Sequence, residues 1–260
     1  MRSTSRLTGA AKKTVERLLV AAGKACADYH DKIMRNLNCR LIQVDEIWAF
    51  CGCKEAHVPE LLRGSGEIGD VWLWTALDAD TKLIPAYYVG NRGKGAANWF
   101  VADLASRVNN RIQLTSDGHA AYPDAVERAF GYEIDYAMLI KQYEAKPSGK
   151  YSPPVCIGVH KLTRCGQPDR DLISTSFVER SNLTWRMSNR RLTRLTNAFS
   201  KKLENHKHAI ALSMMHYNFC RIHQTLRVTP AMEAGITDHV WSLEELAALI
   251  VEPVCLEKTI

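Results

Sequence analysis

The order of apolar and polar residues predicts a helical start, a strand-rich middle and a helical end. A helical pattern begins near Lys12 and continues over 22–37. From residue 41, runs typical of strands follow one another and then alternate with helices. The predicted strands are 41–50, 71–77, 83–89, 111–116 and 132–138, and the helices between them are 95–108 and 120–130. Helices then cover roughly 176–220, a short one begins at Thr229-Pro230, and Ser242-Leu-Glu-Glu245 opens the last with a capping box.

Three strands in succession, followed by alternating helices and strands, predict an α/β domain with a mixed five-stranded sheet. Strand-strand-strand-helix-strand-helix-strand and then a helix is the ribonuclease-H-like order. We expect such a domain over 41–230. Residues 145–172 hold four prolines and three glycines, so we expect a loop or an extra hairpin there, inserted before the last helix of the domain.

Two smaller helical regions flank this domain. In 1–40, a helix with basic Lys12 and Lys13 follows Gly9, and it resembles the second half of a helix-turn-helix. Only six residues precede Leu7, so we expect the first helix of the motif to be missing and the motif to be partial. We expect residues 231–260 to be a helical C-terminal tail.

Composition indicates a folded protein of the cytoplasm. The 260 residues are 46% hydrophobic, which can build a sizeable core. No apolar run is long enough to cross a membrane, and the polar start lacks the apolar stretch of a signal peptide. The eight cysteines lack the spacing of a disulfide framework and are expected to be reduced thiols. Cys51-Gly-Cys53 looks like half a zinc site but has no second pair at a recognisable spacing.

Charge is distributed unevenly along the chain, although the net charge is only +6. Residues 1–40 carry nine Lys and Arg against three acids, and 173–230 carry ten against two. The segment between them is net acidic. Basic stretches on both sides of an acidic centre fit a metal-dependent site between elements that grip nucleic acid, because phosphate neutralisation supplies most non-specific affinity. Solvated helix faces are the alternative for either stretch taken separately.

Three acids stand in strings that differ from ordinary surface sequence: Asp45 inside a strand, Asp117 just after one, and Glu179 at the start of a helix. A carboxylate within an apolar strand is costly unless it is paired or holds a metal. Mg²⁺ prefers a few carboxylates plus substrate phosphate, and two such ions can hold the attacking and leaving oxygens of a phosphoryl displacement. The three acids therefore suggest an enzyme that cuts or joins nucleic acid strands.

Each acid has a competing interpretation. Strand alternation lets only one of Asp45 and Glu46 face the site, and we expect Glu46 to reach solvent at the edge. Asp117-Gly is also ordinary turn chemistry, as are the rival acids Asp78 and Asp80. Ser176-x-x-Glu179 matches a capping box, in which the glutamate would serve the helix end instead of a metal. His119, beside Asp117, could contact phosphate or position water, or be an exposed loop histidine.

The basic side chains around the last acid favour DNA contact. Glu179, Asn182, Arg186 and Arg190 recur at helical steps and form one polar stripe. We assign DNA binding to the stripe arginines and to four lysines elsewhere in the basic stretches: Arg186, Arg190, Lys201, Lys202, Lys12 and Lys13. A tyrosine recombinase that uses Tyr217 is disfavoured, because the arginine-rich pocket of such enzymes has no recognisable pattern here.

Six strings in order carry a family resemblance over nearly the whole chain. The chain resembles insertion-sequence-one type DDE transposases, which are related to retroviral integrases. The strings are Gln43-Val-Asp-Glu-Ile-Trp48, Trp72-Leu-Trp-Thr-Ala-Leu-Asp78, Thr115-Ser-Asp-Gly-His-Ala-Ala-Tyr122, Ser176-Phe-Val-Glu-Arg-Ser-Asn-Leu-Thr184, Leu195-Thr-Asn-Ala-Phe-Ser-Lys-Lys202 and Tyr217-Asn-Phe-Cys-Arg-Ile-His-Gln-Thr-Leu226.

The resemblance implies that Asp45, Asp117 and Glu179 are the catalytic and metal-binding triad, with Arg186 as the basic residue seven positions after the glutamate. It implies Mg²⁺, for which Mn²⁺ can substitute, and double-stranded DNA as the partner, both at element ends and at the target. The expected activity is DNA cleavage and strand transfer at the ends of an insertion sequence, by a homo-oligomer associated with the nucleoid. A hydrolytic nuclease of the same fold and a truncated, inactive DNA-binding regulator are the alternatives.

Overall fold

A computed structural model describes residues 1–144 and 155–250 of the chain. Six strands form one sheet: β1 Leu41–Cys51, β2 Gly69–Asp78, β3 Ala86–Gly90, β4 Ile112–Ser116, β5 Ile134–Tyr143 and β6 Cys156–Cys165. The described ranges also hold eight α-helices: α1 Arg2–Thr8, α2 Lys12–Ile33, α3 Lys94–Ala105, α4 Tyr122–Phe130, α5 Ser176–Ser188, α6 Leu203–Met215, α7 Pro230–Glu233 and α8 Leu243–Ala248.

The sheet has the strand order β3-β2-β1-β4-β5-β6 and mixed pairing. The hairpin-like meander of β1, β2 and β3 is antiparallel, whereas β1, β4 and β5 run parallel. Parallel neighbours need a crossover, and α3 and α4 supply the two crossovers. Pairing between β1 and β4 ends at Gln43 and Thr115, so the rest of β1 extends beyond its parallel neighbour.

Helices cover both faces of the sheet near β1. Trp74, on the strand next to β1, packs against Phe100 of α3 and Tyr122 of α4 on one face. On the other face, Gln43 of β1 accepts hydrogen bonds from the first turn of α5. Because successive side chains of a strand point to opposite faces, β1 sends side chains into two covered layers. This explains why β1 is apolar and buried along most of its length.

The predicted order of elements is confirmed, and the number of strands is corrected from five to six. The mixed α/β sheet is consistent with a ribonuclease-H-like fold. The expected insertion 145–172 contains the sixth strand, β6, which pairs antiparallel with β5. Its part 145–154 lies outside the described residues. β5 also extends five residues further than predicted, because β6 supplies it with hydrogen-bonding partners on its second edge.

The chain divides into two compact units, Met34–Phe199 with the sheet, and Met1–Ile33 together with Ser200–Ile260. In the second unit, α2 packs against α6, and a side chain at Gly23 would collide with the backbone of His208. Tyr29, Phe219 and Trp241 form an aromatic cluster there. These units do not follow the expected boundaries at 40 and 230, and the division into functional regions 1–40, 41–230 and 231–260 stays a prediction.

A short helix does precede the expected turn at the N-terminus. The expectation that the first helix is missing was wrong, because α1 covers Arg2–Thr8 and ends at Gly9, whose φ of 71° is a left-handed conformation that favours glycine. None of residues 1–20 is buried. The predicted capping box at Ser242 is confirmed. None of the described helices combines the length and apolar composition needed to cross a bilayer.

Candidate metal centre

The parallel pairing of β1 and β4 brings Asp45 and Asp117 to the same level. The last paired residues are Gln43 and Thr115, and each aspartate comes two positions later. β4 ends at Ser116, so Asp117 lies in the turn that follows, beside the unpaired continuation of β1. A break between neighbouring strands at their carboxyl ends leaves room for a ligand, as at the crevices of other open α/β sheets.

Asp45 is held by neutral donors and surrounded by other carboxylates. Its Oδ1 accepts a hydrogen bond from the backbone N–H of Glu46 at 2.8 Å, and its Oδ2 accepts one from the side-chain amide of Asn182 at 2.7 Å. Burial raises the pKa of Asp45 to about 7; the backbone hydrogen bond opposes this rise, and the charges of Glu46, Asp117 and Glu179 add to it. An added cation would relieve this electrostatic cost.

Asp117 serves the turn and also faces the cavity. Its Oδ1 accepts the backbone N–H of His119 at 2.9 Å, which is the turn chemistry that the Asp-Gly sequence predicts. Its Oδ2 lies 3.9 Å from the guanidinium of Arg92. The His119 ring is half-buried and packs against Trp74 and Tyr122. Burial and the charge of Arg92 lower the pKa of His119, which favours the neutral ring.

Glu46 belongs to the acidic cluster, and the expectation that it reaches solvent was wrong. Its carboxylate is fully buried and forms an ion pair with Arg92 at 3.0 Å, and the hydroxyl of Tyr122 donates a hydrogen bond to it. Carboxylate oxygens of Asp45, Glu46 and Asp117 lie within 4.8 Å of one another. Strand alternation does separate Asp45 and Glu46 onto two faces, but both carboxylates reach the open edge of β1 beyond β4.

Glu179 faces the same cavity, and its interpretation as half of a capping box was wrong. The residue before α5 is Thr175, and its own side chain does not cap the helix. The Glu179 carboxylate instead accepts hydrogen bonds from Lys141 Nζ at 2.5 Å and from the Thr175 hydroxyl at 2.6 Å. Gln43 of β1 accepts the backbone N–H groups of Phe177 and Val178, which fixes the start of α5 against the strand that carries Asp45.

A cavity of roughly 320 Å³ joins the three predicted acids. Its lining consists of Asp45, Asp117, Gly118, Leu139, Ile140, Lys141, Tyr143 and Glu179. The structure therefore brings together Asp45, Asp117 and Glu179, although Glu179 stands outside the tight group that Glu46 joins.

The donor set fits a hard divalent cation. Carboxylate oxygens from several chain segments are the ligands that Mg²⁺ and Mn²⁺ prefer. Burial, and after it the neighbouring negative charge, raises the pKa of Asp45, and a bound cation would offset both. Asn182 presents a buried side-chain oxygen with no hydrogen-bond partner among the described residues. These observations together support a cation beside Asp45.

The predicted DNA-binding residues are divided between the two units of the chain. Arg186 is half-buried, and its guanidinium donates to the backbone oxygen of Leu192 at 2.7 Å. Arg190 lies exposed just after α5. The four lysines belong to the other unit: Lys12 and Lys13 begin α2, and Lys201 and Lys202 precede α6, all exposed. Whether these six side chains contact DNA stays a prediction.

Four residues of the site were not predicted from the sequence to belong to it. Lys141, Arg92 and Gln43 contact the acids or their helix from distant positions, and Glu46 was placed in solvent. Arg92 follows a strand and lies over the ring of Trp72, with its charged carbon 4.7 Å from the ring centre. Whether such residues lie at the site depends on which strands are neighbours in the sheet, and local sequence patterns do not contain that information.

Comparison with known proteins leaves the family open. No protein-family model matches the chain, and no curated protein matches it in sequence. Among solved structures, it is similar to the cryo-EM structure of a piggyBac transposase synaptic complex with hairpin DNA, at 13% identity and a TM-score of 0.34. The match covers 82% of this chain and 52% of that one, so the chain spans about half the length of that transposase.

Proposed function

We propose that this protein is a DNA transposase that cleaves and joins DNA strands with the help of Mg²⁺. The observation that carries the proposal is the convergence of Asp45, Asp117 and Glu179 on one cavity, from β1, the end of β4 and the start of α5. Placing several carboxylates close together in an otherwise apolar sheet costs free energy, and a purely structural role does not explain that cost. The resemblance of the surrounding strings to insertion-sequence-one type transposases gives the same three residues.

Asp45 and Asp117 would hold the cation, with Glu46 beside them and Glu179 across the cavity. When bound, Mg²⁺ polarises a scissile phosphate and lowers the pKa of a bound water. Asn182 would keep the Asp45 carboxylate oriented, and Arg92 would hold Glu46 in place next to Asp117 through their ion pair. Gln43 holds the N-terminal turn of α5, so that Glu179 and Asn182 keep their positions relative to β1.

In the proposed reaction, water attacks a phosphorus atom in line and the bond to the 3′ oxygen breaks, which leaves a 3′-hydroxyl. That hydroxyl then attacks a phosphorus of target DNA, whose own 3′ oxygen leaves. No covalent intermediate with the protein forms. The exposed Arg190, Lys201, Lys202, Lys12 and Lys13 would supply phosphate contacts, with double-stranded DNA as the partner, a homo-oligomer on that DNA, and a nucleoid location.

The test is a cleavage and joining assay. The substrate is a labelled duplex that contains an end of the insertion sequence encoding this chain, mixed with supercoiled plasmid and either Mg²⁺ or Mn²⁺. Transposase activity gives a labelled end with a 3′-hydroxyl and then label joined to plasmid. Cleavage without joining identifies a hydrolytic nuclease and overturns the proposal. The Asp117→Asn variant is the control for contaminating nucleases.

A DNA-binding regulator without catalytic activity is the second candidate. The ion pair of Lys141 with Glu179 favours it, because a carboxylate engaged by an ammonium is not free to hold a metal. Such a regulator would bind the duplex equally well in Mg²⁺ and in EDTA, and would cut it in neither. Cutting that requires Mg²⁺ and Asp117 excludes this candidate.

A further inference from the structure

Lys141 is a cation placed inside the acidic cavity. Its Nζ lies 2.5 Å from both carboxylate oxygens of Glu179. On β5, Lys141 follows Leu139 by two positions, so both side chains point to the face of the sheet where Leu139 packs against Ile173, just before α5. Leu139 and Lys141 line the same cavity as Asp45 and Asp117. The lysine therefore acts on the third acid of the site and not on the outer surface.

The contact occupies the oxygens that Glu179 would offer to a metal. The ammonium bonds to both of them, and the Thr175 hydroxyl bonds to Oε1 as well. A divalent cation placed at the same carboxylate would stand beside the ammonium and be repelled by it. Asp45, by contrast, accepts only neutral donors in its two hydrogen bonds. The arrangement leaves the side of the cavity at Asp45 and Asp117 available to a divalent cation, whereas Lys141 blocks cation binding at Glu179.

We propose that Lys141 governs when Glu179 can bind a divalent cation, and that a DNA phosphate is what draws the lysine away. Without DNA, Lys141 neutralises Glu179 and restricts metal binding to the side of Asp45 and Asp117. With DNA in the cavity, the ammonium contacts a phosphate oxygen and Glu179 becomes available as a ligand. This inference rests on the proposed function, because it takes DNA as the substrate of the same cavity.

The chemistry of lysine suits such an exchange. Its ammonium is a compact charge on a flexible four-carbon stem, and it can rotate between two acceptors without movement of the strand. The side chains of Lys141 and Glu179 are 29% and 39% exposed, so a phosphate can approach the pair from solvent. Exchange of one anionic partner for another keeps the ammonium paired throughout. The full set of metal ligands would then form only when substrate is present, which protects other DNA from premature cleavage.

The decisive experiment measures Mn²⁺ binding to the full chain without DNA, by electron paramagnetic resonance titration. Lys141→Met keeps an unbranched stem and removes the charge. We expect it to gain a second Mn²⁺ site or to bind Mn²⁺ about tenfold more tightly, the scale typical of residues that tune metal ligands. The control is Lys161→Met on β6, whose ammonium bonds to the backbone oxygen of Arg170; it should bind Mn²⁺ like the wild type. Equal affinities for wild type and Lys141→Met overturn the proposal.

A double substitution shows whether the gain passes through Glu179. In a Glu179→Gln background, Lys141→Met should produce no gain, because the ligand that the lysine blocks is absent. A gain that persists in that background means that the lysine acts by general charge repulsion, which overturns the specific role. Should Lys141→Met fail to fold, as judged by circular dichroism, Lys141→Gln serves in its place.

The DNA half of the proposal has its own measurement. Fluorescence anisotropy in EDTA, with a labelled duplex, should show weaker binding by Lys141→Met and a salt dependence reduced by about one phosphate contact. An unchanged salt slope overturns the phosphate contact. The two proposals fail separately. If Lys141→Met gains Mn²⁺ binding but the wild type cleaves no DNA, the transposase function is overturned and the block on Glu179 stands. If the wild type cleaves DNA with Mg²⁺ but Lys141→Met gains no Mn²⁺ binding, the transposase function stands and the block on Glu179 is overturned.

Discussion

The side-chain oxygen of Gln43 accepts a hydrogen bond from the backbone N–H of Val178 at 3.1 Å, across 135 residues of sequence. The same oxygen accepts the N–H of Phe177 at 2.9 Å. A helix leaves its first N–H groups without partners inside the helix, and here a glutamine on a strand satisfies two of them. Since Gln43 lies two positions before Asp45 on the same face, the contact sets the distance between the strand acid and the helix acid.

Replacement of Gln43 by leucine tests this anchoring role. We expect the free energy of unfolding to fall by roughly 1–3 kcal/mol, the cost of leaving buried polar groups without partners. We also expect weaker Mg²⁺ binding, because α5 carries Glu179 and Asn182. Gln113→Leu is the matched control, since Gln113 on β4 holds the backbone of Asp169 in a similar way but away from the acids. If both variants lose stability and neither loses metal affinity, Gln43 is only structural.

Sequence reasoning found the aspartates because acids in apolar strands stand out locally. It failed for Glu46, which we expect from the sequence to reach solvent at the edge, because α3 and α4 cover that face of the sheet. For β6 it left a loop and an extra hairpin open, because the sequence has glycine, charged residues and neighbouring prolines, and so it counted five strands instead of six. β6 is a strand because β5 offers it a free edge, and that partner lies outside any local window.

The contacts that position the acids could not be predicted from the sequence for the same reason. Lys141 and Glu179 are 38 residues apart, and Arg92 and Glu46 are 46 apart. The order and register of the strands bring these segments together, through the antiparallel β1, β2 and β3 for Arg92 and through the parallel β1, β4 and β5 for Lys141. That register depends on the packing of the whole sheet. The six strings that resemble a transposase family predicted which acids meet, but they did not predict which side chains neutralise those acids.

Asp117→Asn should abolish DNA cleavage and leave the fold and DNA binding nearly intact. The asparagine oxygen can still accept the N–H of His119, so the turn keeps its hydrogen bond while the site loses a charge. The measurements are cleavage with Mg²⁺, anisotropy with a labelled duplex, and thermal unfolding. A variant that unfolds, or one that cleaves at the rate of the wild type, contradicts the role of Asp117 as a metal ligand.

The raised pKa of Asp45 leads us to expect that the stability of the metal-free protein depends on pH. Its pKa rises from an ordinary value of 3.8 to about 7 in the folded state, mainly through burial. Between those values the folded chain holds a proton that the unfolded chain has released, so stability falls as pH increases, by about 1.4 kcal/mol for each pH unit from this group. The loss is complete above pH 7. Urea unfolding in EDTA at pH 5 and pH 8 measures it.

Asp45→Asn should flatten this dependence and make the metal-free protein more stable at pH 8 than the wild type. Asp135→Asn gives a control of opposite sign, because the hydrogen bond from Arg111 lowers the pKa of Asp135 and its carboxylate stabilises the fold at neutral pH. Added Mg²⁺ should stabilise the wild type at pH 8 and have little effect on Asp45→Asn. If the stability of the wild type rises steadily from pH 5 to pH 8 in EDTA, burial does not raise the pKa of Asp45.

Arg186 and Arg190 should differ in what their loss changes, because one is tied to the protein and the other is exposed. Arg186 donates to the oxygen of Leu192 in the turn after α5, so Arg186→Ala should lower the free energy of unfolding by about 1.5–3 kcal/mol, as expected for a hydrogen bond to a charged group. Arg190→Ala should leave stability nearly unchanged and reduce the salt slope of DNA binding by about one contact.

If Arg186 also positions the DNA strand near the acids, its removal should slow cleavage more than Arg190→Ala does at saturating DNA. Urea unfolding, anisotropy at several salt concentrations and cleavage rates measure the three effects. Equal changes in cleavage from both variants would mean a diffuse basic surface, and Arg186 would then be only a brace between α5 and the turn that follows it.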